Sequence, residues 1–204
     1  MPEGPECHYT ARRLEGILKD KQITEFKIVG GRYQKHGPFQ GYSDMLKHIR
    51  EGSHTVKAVG CRGKLIVIFF NNDWCMLSTL GLKGSWTPWR SKHCDIMLAA
   101  SDNIKLWFKD QMHYGTLKYV VLKEAEKKIL SLGPDVTVKD PVFTEEYLSS
   151  LLVKHKSWDL VKLLMDQAKI SGIGNYLKAE MLYKARLSPM LLCGDLTSQG
   201  TTRL

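Results

Sequence analysis

Between residues 23 and 122 the chain alternates apolar and polar side chains over short runs, and this pattern constrains the fold more than any other feature. Segments rich in Gly, Asn, Asp and Ser separate the runs and favour turns. The runs are Ile23–Val29, Thr55–Cys61, Lys64–Phe70, Trp74–Leu80, Asp95–Ala100, Asn103–Lys109 and Thr116–Leu122. Short strands at regular spacing are typical of an antiparallel sandwich or barrel-like core. Ser101-Asp102-Asn103, between two of the runs, predicts a hairpin turn.

The sequence on either side of these strands predicts helices. One helix is expected near the start, over Pro5–Lys19, and the later ones over Lys123–Gly133, a segment after the N-cap Thr144, Trp158–Ala168 and Asn175–Ala185. The predicted fold class is α+β, with an N-terminal helix and an antiparallel β-sandwich domain over residues 1–132. A linker with two prolines over 133–143 leads to a helical domain over 144–204.

The chain is strongly basic, with a formal net charge of +9 over 204 residues and a pI of about 9.3. Such a balance favours acidic partners, nucleic acid first and an anionic membrane surface second. A solvated basic surface with no partner is the alternative. The longest apolar stretch, Leu65–Phe70, is far shorter than the ~20 residues of a membrane span, so no membrane association is expected.

Cysteine usage and the N-terminus point to a reducing compartment. The five cysteines are scattered, and they form no CxxC pair that would indicate a zinc site. Free thiols are therefore expected. The N-terminus lacks the basic-then-apolar pattern of a signal peptide, so the expected location is cytoplasmic or nuclear.

A glycine-rich segment, Gly172-Ile173-Gly174, interrupts the helical half, and Asn175 then opens the next predicted helix. Glycine lets backbone N–H groups come close to a ligand, and helix N-termini bind phosphate. With Asn175 as N-cap, the segment predicts a clamp for DNA phosphates. An ordinary glycine turn between two helices explains the same residues, so both interpretations stay open.

Two further stretches also have a functional and a structural interpretation. Lys64 begins an apolar strand, where its ammonium group could reach a phosphate or could keep the strand from aggregating. In the loop Gly81–Gly84, the apolar Leu82 precedes the basic Lys83. Leu82 fits a wedge between stacked bases, and it equally fits a side chain that folds back onto the core.

The chain begins with two Pro–Glu pairs, Pro2-Glu3 and Pro5-Glu6. The second pair fits the first turn of a helix, where a carboxylate meets the positive end of the dipole. Removal of Met1 would expose the secondary amine of Pro2, and terminal amines titrate near ~8, so part of it would be uncharged. Such an amine can attack carbon and form an iminium, with Glu3 placed for acid–base work. A proline that only stiffens the start of the chain is the alternative.

Together these motifs resemble the formamidopyrimidine-DNA glycosylase/endonuclease VIII family of base-excision-repair enzymes. The start MPEGPE matches endonuclease VIII, and further matches are RGK at Arg62–Lys64, GPDV at Gly133–Val136 and LLMDQAKISGIGNYLKAEML at Leu163–Leu182. The matches keep their order along nearly the whole chain. GIGNYL together with MPEGPE favours endonuclease VIII within the family. The resemblance implies that the helical domain contains a helix–two-turn–helix motif.

The resemblance implies a bifunctional DNA glycosylase and abasic-site lyase that removes oxidised bases, with oxidised pyrimidines expected. Pro2 would attack C1′ of the damaged nucleotide, and Glu3 would protonate the opened deoxyribose. Glu6 would help to orient the start of the first helix, and Lys64 would contact the phosphate beside the lesion. The iminium would then drive β- and δ-elimination and nick the strand.

The resemblance also implies the DNA contacts. The amides of the glycine segment would bind neighbouring phosphates, and Leu82 would fill the space left by the flipped base. The implied DNA-binding residues are Leu82, Lys83, Tyr114, Gly172, Ile173, Gly174, Asn175 and Tyr176. The expected partner is DNA containing damaged bases or abasic sites, bound by a monomer.

The sequence departs from the family pattern in two places. In DQMHYG, Met112 stands where the formamidopyrimidine enzymes have an Arg and Tyr114 where they have a Phe, which leaves recognition of the opposite base open. The sequence ends at GDLTSQGTTRL, before the family's later helices and its hairpin zinc finger. The helix–two-turn–helix domain is therefore expected to be incomplete, with no cofactor in this chain and zinc only in a longer one.

Two other classes of function stay open. A fragment that keeps the fold could bind DNA or lesions without turnover, because the family's finger also grips DNA. A structural helix–two-turn–helix module of the ribosomal type would give the N-terminus no role. The intact Pro2-Glu3 pair favours the enzyme. This interpretation places the N-terminal tip against the β-rich domain, beside Lys64 and the turn 172–175.

Overall fold

The protein is described by a computed structural model that covers residues 2–196. Within that range the α-helices are α1 (Gly4–Leu18), α2 (Gly31–His36), α3 (Tyr42–Arg50), α4 (Leu122–Leu130), α5 (Glu145–Lys154), α6 (Leu160–Met165) and α7 (Asn175–Ala185). The strands are β1 (Ile23–Ile28), β2 (Val56–Arg62), β3 (Leu65–Phe70), β4 (Trp74–Thr79), β5 (Gly84–Thr87), β6 (Cys94–Ala100), β7 (Ile104–Asp110) and β8 (Thr116–Val121). The end of the predicted helical domain, 197–204, lies outside the described residues.

The strands form two four-stranded antiparallel sheets, as the alternating pattern predicted. One sheet has the order β1-β6-β7-β5 and the other the order β2-β3-β4-β8. Side chains from both sheets, among them Ile68, Leu98 and Phe108, share one buried core with the apolar face of α1. The predicted α+β class with an antiparallel sandwich is therefore confirmed. The predicted strand ends agree with the structure to within one residue.

The predicted hairpin turn at residues 101–103 joins β6 to β7. Ala100 pairs with Ile104 across the turn, and Asp102 and Asn103 both have φ near +58°. Asp and Asn tolerate this left-handed conformation better than most residues, and tight hairpin turns require it. Local chemistry alone therefore predicted this connection correctly.

Three short elements were not predicted from the sequence. Helices α2 and α3 lie between β1 and β2, where no element was expected, and β5 lies in a stretch interpreted as loop. The apolar residues of these elements are few, since Tyr33 is the buried residue of α2 and Met45 that of α3. Packing of α3 on β1 and β8, and pairing of β5 with β7, stabilise these elements. Such contacts do not appear in a local pattern.

The helical half has its own core around α5, α6 and α7, where Leu160, Leu163 and Ile173 are fully buried. Thr144 caps α5 as predicted, because its hydroxyl accepts the amide hydrogen of Tyr147 at 3.1 Å. Helix α6 is shorter than the predicted Trp158–Ala168, because the chain turns at Asp166.

The segment 133–143, interpreted as a linker, is held by hydrogen bonds. The amide of Gly133 donates to the carbonyl of Gln167 at 2.9 Å, and Asp135 forms a β-bridge with Ser171. The amide of Gly4, at the start of α1, donates to the carbonyl of Gly172 at 2.9 Å. These bonds join the segment 133–143 and the start of α1 to the helical half, close to the N-terminus. Within residues 2–196, none of the helices has the length and apolar character needed to cross a membrane.

Candidate active site

A cavity of about 430 Å³ opens between the N-terminus, the start of β3 and the loops that follow β4 and β7. The residues that line it are Pro2, Cys7, Lys64, Thr79, Leu80, Gly81, Leu82 and Tyr114. Four residues singled out from the sequence, Pro2, Lys64, Leu82 and Tyr114, therefore share one cavity. The described part of the N-terminal tip is packed between the two halves, in the position predicted.

Glu3 lies directly behind Pro2 and is fully buried. Its carboxylate accepts hydrogen bonds from the amides of Gly174 at 2.6 Å, Tyr176 at 2.9 Å and Leu177 at 3.2 Å. These amides belong to the start of α7, where the first N–H groups of a helix have no partner within it. A negative charge is also stabilised there by the helix dipole. Glu3 is therefore fixed at the junction of two helix starts, since it is also the N-cap of α1.

This arrangement gives two amides of the predicted phosphate clamp protein acceptors, and the clamp itself stays a prediction. The amide of Gly174 donates to Glu3, and the amide of Gly172 donates to Oε1 of Gln167 at 3.2 Å, so protein acceptors already occupy both. Ile173 is fully buried in the helical core, so its side chain cannot contact DNA. The N-cap of α7 is Gly174, and Asn175 is the first residue of the helix.

Asn175 and Tyr176 keep exposed side chains, so the part of the predicted clamp that faces solvent is formed by side chains. Oδ1 of Asn175 accepts a hydrogen bond from Nζ of Lys178 at 3.3 Å. Lys83, in the loop beside the cavity, is exposed as well. Lys83 directly follows the cavity residue Leu82, and Tyr176 bonds to Glu6 next to the N-terminal turn.

Gly174 explains why this turn needs a glycine. A Cβ placed there would lie 2.2 Å from the carboxyl carbon of Glu3, far inside van der Waals contact. Gly63 has the same role in the turn before β3, because its φ is +57° and a Cβ would meet Cβ of Ser171 at 2.8 Å. Both glycines allow the sandwich and the helical half to approach closely at the site.

Glu6 connects the N-terminal turn to α7. Its carboxylate accepts the amide hydrogen of Glu3 at 2.9 Å and the hydroxyl hydrogen of Tyr176 at 2.8 Å. Partial burial raises the pKa of Glu6, but these two donors outweigh burial and the net pKa is lowered. Burial and the bond to Glu6 raise the pKa of Tyr176 to about 12, so its hydroxyl keeps its proton and remains a donor.

The cavity contains three candidate nucleophiles, Pro2, Cys7 and Lys64, and their surroundings distinguish them. Cys7 is 1% exposed, and burial raises the pKa of its thiol to about 12, so the reactive thiolate is scarce near neutral pH. Burial lowers the pKa of Lys64, while the nearby Glu3 carboxylate opposes that change. Lys64 is half-buried and places its ammonium group in the cavity wall, where it can attract a phosphate.

Asp135 lies close to the site, and the sequence predicted no function for it. Its carboxylate accepts the amide hydrogen of Gly63 at 2.5 Å and contacts Nε2 of His8 at 2.7 Å. It also accepts the amide and hydroxyl hydrogens of Thr137 at 3.0 and 2.6 Å. Burial raises its pKa, but these donors together lower it below the usual range. The GPDV match contained this residue. Its hydrogen-bond partners Gly63 and His8 are distant in sequence, so the motif alone could not predict these contacts.

The loops at the cavity mouth carry exposed apolar side chains. Leu82 is 38% exposed, Met112 42% and Tyr114 60%. Asp110 fixes the second loop, since its carboxylate accepts the amide hydrogens of Gly115 at 2.6 Å and Met112 at 3.2 Å. Residues 2–196 contain no group of three or more His, Cys, Asp or Glu arranged to hold a metal ion.

Comparison with models of known sequence families identifies the family to which this chain belongs. Residues 1–117 match the sequence model described as "Formamidopyrimidine-DNA glycosylase N-terminal domain". Residues 132–204 match the one described as "Formamidopyrimidine-DNA glycosylase H2TH domain". The chain belongs to the formamidopyrimidine-DNA glycosylase family. It is thus a member of a family of DNA glycosylases that act in base-excision repair, as the motifs predicted.

Curated relatives extend over the whole chain at modest identity. The formamidopyrimidine-DNA glycosylase of Exiguobacterium sibiricum is 28% identical over 213 residues, which cover 100% of this chain and 74% of the relative. That of Wolbachia pipientis wMel is 29% identical over 210 residues, with the same coverage. Both relatives carry the formamidopyrimidine name, so a closer likeness to endonuclease VIII stays a prediction.

Solved structures of formamidopyrimidine-DNA glycosylases share the fold. The Lactococcus lactis enzyme bound to DNA with an abasic site superposes with a TM-score of 0.84 at 21% identity, covering 98% of this chain and 75% of that one. MutM in complex with DNA containing carbocyclic 8-oxo-G gives 0.82 at 20% identity, covering 99% and 76%. Both the sandwich and the helical half therefore have the architecture of this family.

Proposed function

We propose that this family member is a DNA glycosylase with abasic-site lyase activity, acting on DNA with oxidised bases through a Schiff base on Pro2. The observation that carries the proposal is the position of Pro2 in the wall of a cavity of about 430 Å³, next to buried Glu3 and half-buried Lys64. A secondary amine, a carboxylate and a cation at one cavity are the groups that this chemistry requires.

The reaction would proceed on the flipped nucleotide. With Met1 removed, the Pro2 nitrogen attacks C1′, the bond from C1′ to the base breaks, and the base leaves with a proton. The attacking nitrogen gives up its own proton to the Glu3 carboxylate. Its lone pair then opens the sugar ring, Glu3 passes that proton to the ring oxygen, and an iminium forms between Pro2 and C1′. This cation accepts the electrons released when the C2′ proton is removed, so the 3′ phosphate leaves by β-elimination. A second elimination releases the 5′ phosphate, and water hydrolyses the remaining iminium.

The surroundings of Pro2 support it as the nucleophile. Cys7 shares the cavity, but its raised pKa of about 12 keeps it a neutral thiol. The hydrogen bonds from α7 to Glu3 and from Glu3 to Glu6 hold the first turn of α1 in place. The amine is thereby positioned on a rigid element, as efficient catalysis requires.

DNA with damaged bases or abasic sites is the proposed partner. Solved relatives are described as bound to DNA with an abasic site, and one is described as bound to DNA containing an oxidised pyrimidine. In this chain the net charge of +9 and the exposed side chains of Lys83, Asn175 and Tyr176 support a DNA contact. Oxidised pyrimidines as the preferred substrates rest on the likeness of GIGNYL and MPEGPE to endonuclease VIII.

A trapping experiment tests the proposal. The Met1-free protein is mixed at low salt with duplex DNA that contains one abasic site, and borohydride is added to reduce an iminium. A covalent protein–DNA adduct is expected, and peptide mapping should place it on Pro2. Acetylation of the terminal amine should abolish the adduct. An adduct on Lys64, or none at all while DNA still binds, would refute Pro2 catalysis and favour a binding protein without turnover.

A further inference from the structure

A second cavity lies on the other side of the loop that carries Tyr114. It has a volume of about 590 Å³, and its polar lining includes Asp95, His113, Arg90, Lys92 and His93. Tyr114 lines the cavity with Pro2, and the preceding His113 lines this one. Consecutive residues of the loop 111–115 therefore line two different cavities, so a change in the contacts of His113 can reach Tyr114 through the backbone.

Hydrogen bonds hold the backbone of the loop at several points. Asp110 accepts the amide hydrogens of Gly115 and Met112, and Nη1 of Arg32 approaches the carbonyl oxygens of His113 at 3.3 Å and Gly115 at 3.4 Å. At the centre of the loop, the contact between side chains is the one from Nδ1 of His113 to Oδ2 of Asp95, at 3.4 Å. This distance is near the limit of a hydrogen bond, so the contact can tighten or loosen.

His113 adopts a backbone conformation that needs support. Its φ is +56°, a left-handed value that costs energy for any residue with a Cβ atom. The side-chain contact with Asp95 is available to offset that cost. When the contact weakens, the second cavity leaves space for the ring and the loop to move.

Asp95 is a buried carboxylate with an incomplete set of partners. It is 1% exposed, and burial raises its pKa while hydrogen bonds from His113 and from the backbone of Arg32 oppose that rise. Its Oδ1 atom has no hydrogen-bond partner within the described residues. Gly31 packs directly against it, since a Cβ at that glycine would lie 2.0 Å from the carboxyl group. A buried charge that is not fully paired raises the free energy of the fold. A protonated His113 ring close to the Asp95 carboxylate lowers that cost.

We propose that Asp95 and His113 form a proton-dependent latch that positions Tyr114 in the wall of the Pro2 cavity, with His113 held when its ring is protonated and released when it is neutral. Asp95 and His113 are positioning residues in this proposal, because they act through Tyr114. Any effect of the latch on DNA cleavage rests on the proposed function of the Pro2 cavity. The contact between Asp95 and His113, and its effect on the position of Tyr114, do not depend on that function.

Charged groups from several elements surround His113. Asp95 contacts its ring from β6, and Asp110 precedes the loop. Arg32 from α2 and the cavity residues Arg90, Lys92 and His93 add positive or titratable groups.

Burial raises the pKa of Asp95 above the usual aspartate range, while His113 opposes the rise. Histidine side chains ordinarily titrate near ~6.5. The latch therefore needs both a protonated His113 and an ionised Asp95, and protonation of Asp95 in acid breaks the ion pair.

Fluorine NMR tests the latch without any DNA. The protein is labelled with 3-fluorotyrosine, and the Tyr114 signal is assigned by its loss in Tyr114→Phe. In the wild type this signal should move as the pH is raised through the region where histidine side chains ordinarily titrate, near ~6.5. In His113→Asn, which tolerates positive φ but does not titrate, the curve should vanish. His113→Arg keeps a permanent charge, so its signal should stay near the wild-type acidic position at every pH.

Two comparisons make the result decisive. His36→Gln changes an exposed histidine outside this cavity and should leave the Tyr114 titration intact. A Tyr114 signal that does not titrate in the wild type, or that still titrates in His113→Asn, would overturn the latch.

The same pH series is then applied to cleavage of abasic DNA. The ratio of the wild-type rate to the His113→Asn rate is expected to fall as the pH rises. A protein that shows the NMR titration but no cleavage would contradict the proposed function while leaving the latch intact.

Discussion

Glu3 shows how much of the site depends on single buried groups. Its carboxylate receives three amide hydrogens from the start of α7, although the two segments are more than 170 residues apart in sequence. The same residue caps α1, whose first turn follows Pro2. The position of the terminal amine is therefore determined by one carboxylate at the junction of two helices.

Glu3→Gln should impair both stability and catalysis. The amide NH₂ cannot accept a hydrogen bond, so at least one buried amide at the start of α7 loses its partner, at a cost of about 1–3 kcal/mol in unfolding free energy. Loss of the proton donor should slow cleavage of abasic DNA by about 10²–10⁴-fold. Urea denaturation and single-turnover cleavage measure the two effects. Glu180→Gln, an exposed change on α7, is the control and should alter neither.

Gly174→Ala is expected to displace Glu3. The new methyl group would overlap the Glu3 carboxyl group, which packs 2.2 Å from its position. Borohydride trapping on abasic DNA should fall sharply, because Pro2 moves together with Glu3. Gly16→Ala is the matched control, since a Cβ on that exposed helical glycine meets nothing within 4 Å and should stabilise the protein by about 0.5–1 kcal/mol. Normal trapping by Gly174→Ala would show that Glu3 does not position Pro2.

At the scale of elements, the segment 133–143 is the structural connection between the two halves. Asp135 contacts the turn before β3 through Gly63 and α1 through His8, and Gly133 bonds to the turn after α6 through Gln167. Because Lys64 follows Gly63 directly, the same contacts set the position of Lys64 in the cavity wall. An element without regular secondary structure thus determines the geometry of the site.

Asp135→Asn should destabilise the protein in a pH-dependent manner. The hydrogen bonds to Asp135 lower its folded pKa below the unfolded value of ~3.9, so the ionised group stabilises the fold above that pH. This stabilisation is lost as the pH falls through the folded pKa. The difference in unfolding free energy between wild type and Asp135→Asn should therefore be large at pH 7 and shrink toward pH 3 in urea titrations.

A surface ion pair provides the comparison for Asp135. Asp102 pairs with Lys21 on the exposed surface, and such pairs contribute about 0–1 kcal/mol. Asp102→Asn should therefore show little change at either pH. An equal pH response in the two variants would indicate that Asp135 has no special role in the connection.

At the scale of the whole molecule, the charge of +9 should appear in the salt dependence of DNA binding. The logarithm of the association constant should fall linearly with the logarithm of salt concentration, with a slope of about −0.9 per phosphate contacted. Lys83→Ala, beside the cavity, should reduce that slope by about one contact. Lys128→Ala, exposed on α4, should leave it unchanged. Fluorescence anisotropy with a labelled duplex measures both, and a flat salt response would count against DNA binding.

Local patterns predicted much of this architecture. The alternation of apolar residues gave the bounds of the longer strands, because strand periodicity and turn residues are both local properties. The candidate residues Pro2, Lys64, Leu82 and Tyr114 were also identified from short motifs. Helices α2 and α3 escaped prediction, since packing on other elements stabilises them.

The periodicity and turn chemistry of this sequence determined an antiparallel sandwich followed by a helical half, and its motifs identified the family. Only the tertiary structure decided that the amides at the start of α7 bind Glu3, and that Asp135 connects Gly63 to His8. The physical reason is that a buried N–H group must find an acceptor, but which acceptor reaches it depends on how distant segments pack. For the same reason, the amides of Gly172 and Gly174, expected to bind phosphate, donate to Gln167 and Glu3 instead.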